Sequence, residues 1–231
     1  MPYDVVLLDL DLTIYASEES ELQAFAHTAA FAGLTDPDSH FDRYLSINRE
    51  LWAAVERGEL LPTELRYRRF EQFILDVGLD TDIRRMADEF VWGLGAYGEL
   101  YPGAERVLAQ LATTASLALV TNGLGEVQRA RLSRLGITDY FDVIVVSGEV
   151  GVTKPRPEIF QIAFEQLGNP PKESALMVGD SLTSDIAGGR NFGIDTCWYN
   201  PHGATDAGDI VATHQIAALE ELVAVVSGHR S

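Results

Sequence analysis

Val5–Leu8 is an unbroken apolar run, and it ends in two carboxylates two positions apart, Asp9 and Asp11. A run without alternation has no polar face to give to water. It therefore reads as a strand buried on both sides, as in a parallel sheet covered by helices. Ligand chemistry in such sheets sits just outside the carboxyl ends of the strands, where Asp9 and Asp11 emerge. Two anions that close repel, so the edge needs a cation or a shifted pKa. Turn-forming acids at a strand end would look the same in isolation. What else the chain delivers to this edge decides between the two readings.

Residues 17–98 carry no strand-like run. Ser17, Glu18, Glu19 and Ser20 signal a helix start before Leu22, Phe25 and Ala29. Apolar spacing predicts further helices over 41–57, 62–78 and 81–93. The glycines of Gly93-Leu-Gly-Ala-Tyr-Gly98 suggest a flexible return. From Gly103 onward helix and strand alternate. Strands are expected at 116–120, 143–146, 175–178 and 195–199, with helices near 104–112, 126–135, 157–167, 184–192 and 217–226. This predicts the α/β class: a Rossmann-like parallel sheet with right-handed crossovers, built from residues 1–16 and 99–231. Residues 17–98 then form an inserted all-helical unit.

The formal net charge of −18 argues against a nucleic-acid polymer or an anionic membrane as partner, since both need a basic footprint. A small phosphorylated substrate remains compatible, because a bound divalent cation reverses the local sign. The single cysteine, Cys197, excludes an internal disulfide and a Cys-rich zinc site. The first strand lies next to Met1, which leaves no room for a signal peptide, and no apolar segment approaches the ~18 residues of a membrane span. A cytoplasmic protein is expected.

Three later stretches place reactive side chains where Asp9 stands on its own strand. Thr121 follows Leu117-Ala-Leu-Val120, and Asn122-Gly123 can turn backbone N–H groups toward an anion, although Thr121 would also serve as a helix cap. Lys154 is one of two lysines against fifteen arginines. Where arginine is the default cation, a lysine marks a site that needs a compact ammonium. Asp180 ends Leu176-Met-Val-Gly179, and Asp185 comes five residues later. Several carboxylates at one sheet edge are destabilised without a metal, and oxygen-only ligands point to Mg²⁺.

Together these stretches resemble the motif set of the haloacid dehalogenase superfamily of phosphohydrolases: Asp9-Leu-Asp-Leu-Thr13, Thr121, Lys154 and Gly179-Asp-Ser-Leu-Thr-Ser-Asp185. The helical insertion is similar to the branch with an α-helical cap. Within that branch, Thr121-Asn-Gly, Glu149-Val-Gly-Val-Thr-Lys-Pro155, Gly193-Ile-Asp-Thr-Cys-Trp-Tyr-Asn200 and Asn48-Arg-Glu-Leu-Trp52 resemble the pyrimidine nucleotide 5′-nucleotidases, including those acting on noncanonical nucleotides. Leu12 departs from the pattern, standing where many relatives carry Gly.

The resemblance implies Asp9 as nucleophile, forming an aspartyl-phosphate, and Asp11 as the acid and base. It implies Mg²⁺ on the Asp9 carboxylate, the Asp11 carbonyl and Asp180, with Asp185 acting through water or from outside the ligand shell. Thr121, the Asn122 amide and Lys154 are implied to hold the phosphoryl oxygens. Specificity falls to the cap, where Asn48, Trp52, Arg66 and Arg69 are the candidates. The expected substrate is a nucleoside monophosphate such as UMP, dUMP or dTMP. A phosphatase or phosphomutase of sugar phosphates is the alternative, and a non-enzymatic phosphoacceptor or binding module is a remoter one.

Overall fold

The computed structural model describes residues 2–205 and 208–228. Its centre is a six-stranded, all-parallel sheet in the order β3-β2-β1-β4-β5-β6. The strands are β1 Val5–Leu8, β2 Ser116–Thr121, β3 Val143–Val146, β4 Ala175–Gly179, β5 Asp195–Tyr199 and β6 His214–Ile216. β1 lies between β2 and β4, with Val5 opposite Ser116 and Ala175, and Leu8 opposite Leu119 and Val178.

The apolar run at β1 behaves as its composition demands. Successive side chains point to opposite faces, so Val6 and Leu8 enter one core and Val5 and Leu7 the other. Helices α5 (Ala104–Leu111), α6 (Gly125–Arg134) and α10 (Glu221–Ser227) cover the first face through Val107, Leu111, Leu132 and Leu222. Helix α8 (Pro157–Gln166) covers the second through Ile159, Phe160 and Phe164. The short α7 (Ser147–Val150) and α9 (Ala187–Phe192) complete the layers. Full burial of a Val or Leu contributes about 1.5–3 kcal/mol, and all four β1 side chains are buried.

Four helices intervene between β1 and α5: α1 (Ser17–Phe31), α2 (Asp38–Glu56), α3 (Pro62–Val77) and α4 (Ile83–Ala96). They bury their apolar stripes against each other, forming a separate aromatic core. Phe25 and Tyr44 have ring centroids 4.8 Å apart, and Phe70 and Phe90 5.3 Å apart. Such pairs add about 0.5–1.5 kcal/mol beyond area burial. Pro62 opens α3, where its missing N–H costs nothing. Asp82 caps α4 by accepting from the Arg84 and Arg85 amides.

The expected return loop at Gly93 is instead the last turn of α4, which runs to Ala96. A Cβ on Gly93 would sit 2.9 Å from both Cα and Cβ of Ala24. Glycine is there to let α1 and α4 touch, not to bend the chain. Residues 182–186, expected as α-helix from 184, begin with a π-helical turn, Leu182–Ile186. The C-terminal helix starts at Glu221 rather than 217, because Glu221 accepts from the Ala217 and Ala218 amides ahead of it. β6 has no counterpart in the expected strands. No helix among the described residues is long and apolar enough to cross a membrane.

Candidate active site

The carboxyl ends of β1, β2 and β4 converge on one cavity of about 810 Å³, closed on its other side by α1–α3. Asp9 continues β1 past its last ladder position, its amide donating to the Val178 carbonyl at 2.9 Å. Lys154 Nζ lies 2.5 Å from Asp9 Oδ1 and 2.7 Å from Asp185 Oδ1, and the lysine is 1% exposed. Carboxylate oxygens of Asp9, Asp180 and Asp185 lie within 4.8 Å of one another. The sheet edge therefore holds three carboxylates around one ammonium.

Several local devices set this geometry. A Cβ on Gly179 would fall 2.1 Å from Asp185 Oδ2, so only glycine before Asp180 leaves room for that carboxylate. The Ser181 amide donates to the same oxygen at 3.0 Å. Thr13 Oγ1 accepts the Asp180 amide at 3.1 Å, which joins the loop after β1 to the end of β4. The Asn122 side chain binds the Lys154 backbone twice, donating from Nδ2 to its carbonyl at 3.0 Å and accepting its amide at Oδ1 at 2.9 Å. Thr121 is buried, and its hydroxyl accepts from Gln128 Nε2 at 3.0 Å.

Charge follows from burial. Burial pushes the Asp9 carboxyl well above its ordinary range, Lys154 pulls it back, and the neighbouring carboxylates add to the rise. Asp180 is pushed up to about 7, by burial first and Asp185 second. For Lys154, burial alone would lower the pKa, but the Asp185 and Asp9 carboxylates outweigh it and keep the ammonium charged. A divalent cation fits this donor set. The ligands are all oxygen, and the Asp9 and Asp180 Oδ2 atoms have no protein partner among the described residues. Both Asp185 oxygens are engaged, Oδ1 by Lys154 and Oδ2 by Ser181.

Asp11 follows Asp9 by two residues yet lies apart from the cluster's ion pairs. Its carboxylate accepts from Arg131 at 2.7 Å and from Gln128 Nε2 at 2.7 Å, both on α6. Arg131 also stacks over the Tyr15 ring at 4.5 Å and donates to the Leu94 carbonyl of α4. Leu12 adopts φ 60, a left-handed backbone that a bulky residue rarely takes and a glycine takes freely.

Of the cap residues named from sequence, Asn48, Trp52 and Arg69 line the cavity. Arg66 does not. It pairs with Asp88 of α4 and Glu126 of α6, spanning the helical unit and the sheet unit. The sequence reading also missed Glu21, Gln128 and Arg131, all of which line the cavity. Gln128 and Arg131 did carry a signal, for they share the buried face of α6 with Val127 and Leu132. Polar residues on an apolar stripe need a partner.

A buried carboxylate–lysine cluster at the carboxyl edge of a parallel sheet, roofed by a helical insertion, defines a hydrolase of the capped α/β kind. The chain belongs to the haloacid dehalogenase-like hydrolases, whose family model matches residues 3–193, and it is a phosphoric monoester hydrolase. It is 32% identical over 229 residues to pyrimidine 5′-nucleotidase YjjG of Escherichia coli, covering 99% of this chain and all of that one. It is 31% identical to pyrimidine 5′-nucleotidase PynA of Streptococcus pneumoniae, covering 96% of this chain and 94% of the other. Among solved structures, the HAD-hydrolase YfnB of Bacillus subtilis, bound to magnesium and described as showing interdomain movement, superposes with a TM-score of 0.90 at 32% identity, covering 98% of this chain and 99% of that one.

Proposed function

We propose that this chain is a Mg²⁺-dependent 5′-nucleotidase acting on pyrimidine nucleoside monophosphates through an aspartyl-phosphate on Asp9. The buried Lys154 bridge between Asp9 and Asp185 supports the chemistry, because it sets a nucleophilic carboxylate beside a fixed cation in the lining of the cavity. Full-length likeness to two pyrimidine 5′-nucleotidases supports the substrate class. Residues 1–16 and 99–231 are taken as the catalytic unit, and 17–98 as its cap.

In this reading a carboxylate oxygen of Asp9 attacks phosphorus, and the bond from phosphorus to the ester oxygen breaks. Asp11 gives its proton to the departing oxygen. Water then attacks the phosphorus of the acyl phosphate while Asp11 takes its proton, which releases inorganic phosphate and restores Asp9. Arg131 and Gln128 both donate to the Asp11 carboxylate in the present arrangement. It must rotate off Arg131 to carry a proton. Lys154, the Thr121 hydroxyl and N–H groups after β2 face the phosphoryl oxygens, and Asn122 fixes Lys154 through its backbone. Mg²⁺ on Asp9, Asp180 and the Asp11 carbonyl, with Asp185 outside the shell, would neutralise charge on the transferring group.

The test has two parts. Asp9→Asn should leave at most ~10⁻³ of wild-type turnover if the carboxylate is the nucleophile, and near-normal turnover would end that assignment. A panel of UMP, dUMP, dTMP and sugar phosphates, each with Mg²⁺ or EDTA, should show Mg²⁺-dependent preference for the nucleotides. Equal turnover of sugar phosphates would remove the nucleotidase reading while leaving the phosphatase in place.

A further inference from the structure

The cap side of the cavity carries a polar network that phosphoryl transfer does not use. Glu21 of α1 accepts from the Tyr44 hydroxyl at 2.9 Å and from Asn48 Nδ2 at 2.5 Å, both on α2. The Tyr44 hydroxyl accepts in turn from Arg69 of α3 at 3.1 Å. Asn48 and Arg69 line the cavity but are only 6% and 3% exposed. A carboxylate accepts from an amide's nitrogen and not its oxygen, so Glu21 fixes which end of Asn48 it holds. The other end, Asn48 Oδ1, is buried and has no hydrogen-bond partner. Arg69 contacts the Tyr44 hydroxyl, the Leu65 carbonyl and the Phe90 ring, and forms no ion pair among the described residues. Buried polar groups are normally paired, and a buried cation without a direct counter-charge is rarer still.

The network thus presents an unpaired acceptor together with an unpaired cation, held in one arrangement by one carboxylate. Their complement is a ligand edge with an N–H donor next to a carbonyl. We propose that Asn48 Oδ1 and Arg69 read the imide edge of a uracil-type base, Asn48 accepting from the ring N–H and Arg69 donating to the adjacent carbonyl. Glu21 is the positioning residue for both. The inference rests on the nucleotidase reading above. It separates uracil and thymine from cytosine, whose ring nitrogen at that place is an acceptor and would meet Asn48 Oδ1 lone pair to lone pair. Trp52, which also lines the cavity, is available to the face of the ring.

The readout is the ratio of kcat/KM for dUMP to that for dCMP, with ribose 5-phosphate as the base-free reference. A ratio taken on one preparation is insensitive to loss of active protein. Wild type should favour dUMP by tenfold or more, the scale of one mismatched polar contact in a desolvated site, roughly. Asn48→Ala and Glu21→Ala should bring the ratio to within about threefold of unity, and Glu21→Gln, whose amide oxygen can still accept, should restore most of it. An undiminished ratio in Asn48→Ala, or a wild type that does not distinguish the two bases, overturns the proposal. If ribose 5-phosphate outpaces every nucleotide, the nucleotidase reading falls and takes this inference with it. A nucleotide preference with an unmoved ratio removes this inference alone.

Discussion

Replacing Lys154 with methionine keeps most of the side-chain volume and deletes its charge. In the folded protein that ammonium is 1% exposed and makes two ion pairs, at 2.5 Å to Asp9 and 2.7 Å to Asp185. Removing one partner of a buried ion pair costs about 3–5 kcal/mol, because a charge is left uncompensated. Two charge-assisted hydrogen bonds at about 1.5–3 kcal/mol each give about 3–6 kcal/mol, which overlaps that range. A loss near 4 kcal/mol at pH 8, over a urea slope of about 3 kcal/mol per molar, is a midpoint shift of roughly 1.3 M. The sign with pH follows from proton binding. Without Lys154 the pull that lowers the Asp9 carboxyl is gone, so the buried Asp9 binds its proton in the fold at pH values where the unfolded chain has released it. Stability therefore falls as pH rises through that window and recovers on acidification. Mg²⁺ at a hundredfold excess over its Kd should return about 2.7 kcal/mol. Urea titrations followed by circular dichroism at pH 6 and 8, in EDTA and in Mg²⁺, check each point. An equal loss at both pH values with no response to Mg²⁺ would mean that the lysine contributes packing and not charge.

Asp180, raised from 3.8 to about 7, predicts that the metal-free protein loses up to about 4 kcal/mol as pH climbs from 4 to 7. Tm against pH should slope downward in EDTA and flatten in saturating Mg²⁺; parallel curves would contradict the cluster as a cation site. At position 12, φ 60 costs a non-glycine residue roughly 1–2 kcal/mol. Leu12→Gly should hold stability within about 1 kcal/mol of wild type, whereas the β-branched Leu12→Val should fall below both in thermal denaturation.

The strand ends were legible because their signal is local. Apolar runs closing on Asp9, Thr121 and Asp180 carry both the period and the chemistry within a few residues. Features fixed by a distant partner were not. Gly93 looks like a breaker until Ala24 is seen against it. β6 is three residues long with two polar members, and only its pairing with β5 makes it a strand. Arg66 and Arg69 are three residues apart on α3, close enough in sequence to be read alike. Yet Arg69 is buried in the cap beside the cavity, while Arg66 reaches Glu126 on the sheet unit. Which face of a helix meets which neighbour is a tertiary fact. The roles of Glu21, Gln128 and Arg131 waited on the same information.

The double hydrogen bond between the Asn122 side chain and the Lys154 backbone has a wider meaning for how such a protein can change. It rivets the loop bearing the lysine to the end of β2, so two segments of the sheet edge far apart in sequence behave as one part. The cap contributes nothing to that rivet. Substitutions at the cavity-lining positions of α1–α3 can therefore reshape what enters the cavity while the Asn122–Lys154 pairing stays in register. New ligands become accessible to this scaffold by retooling the helical unit alone.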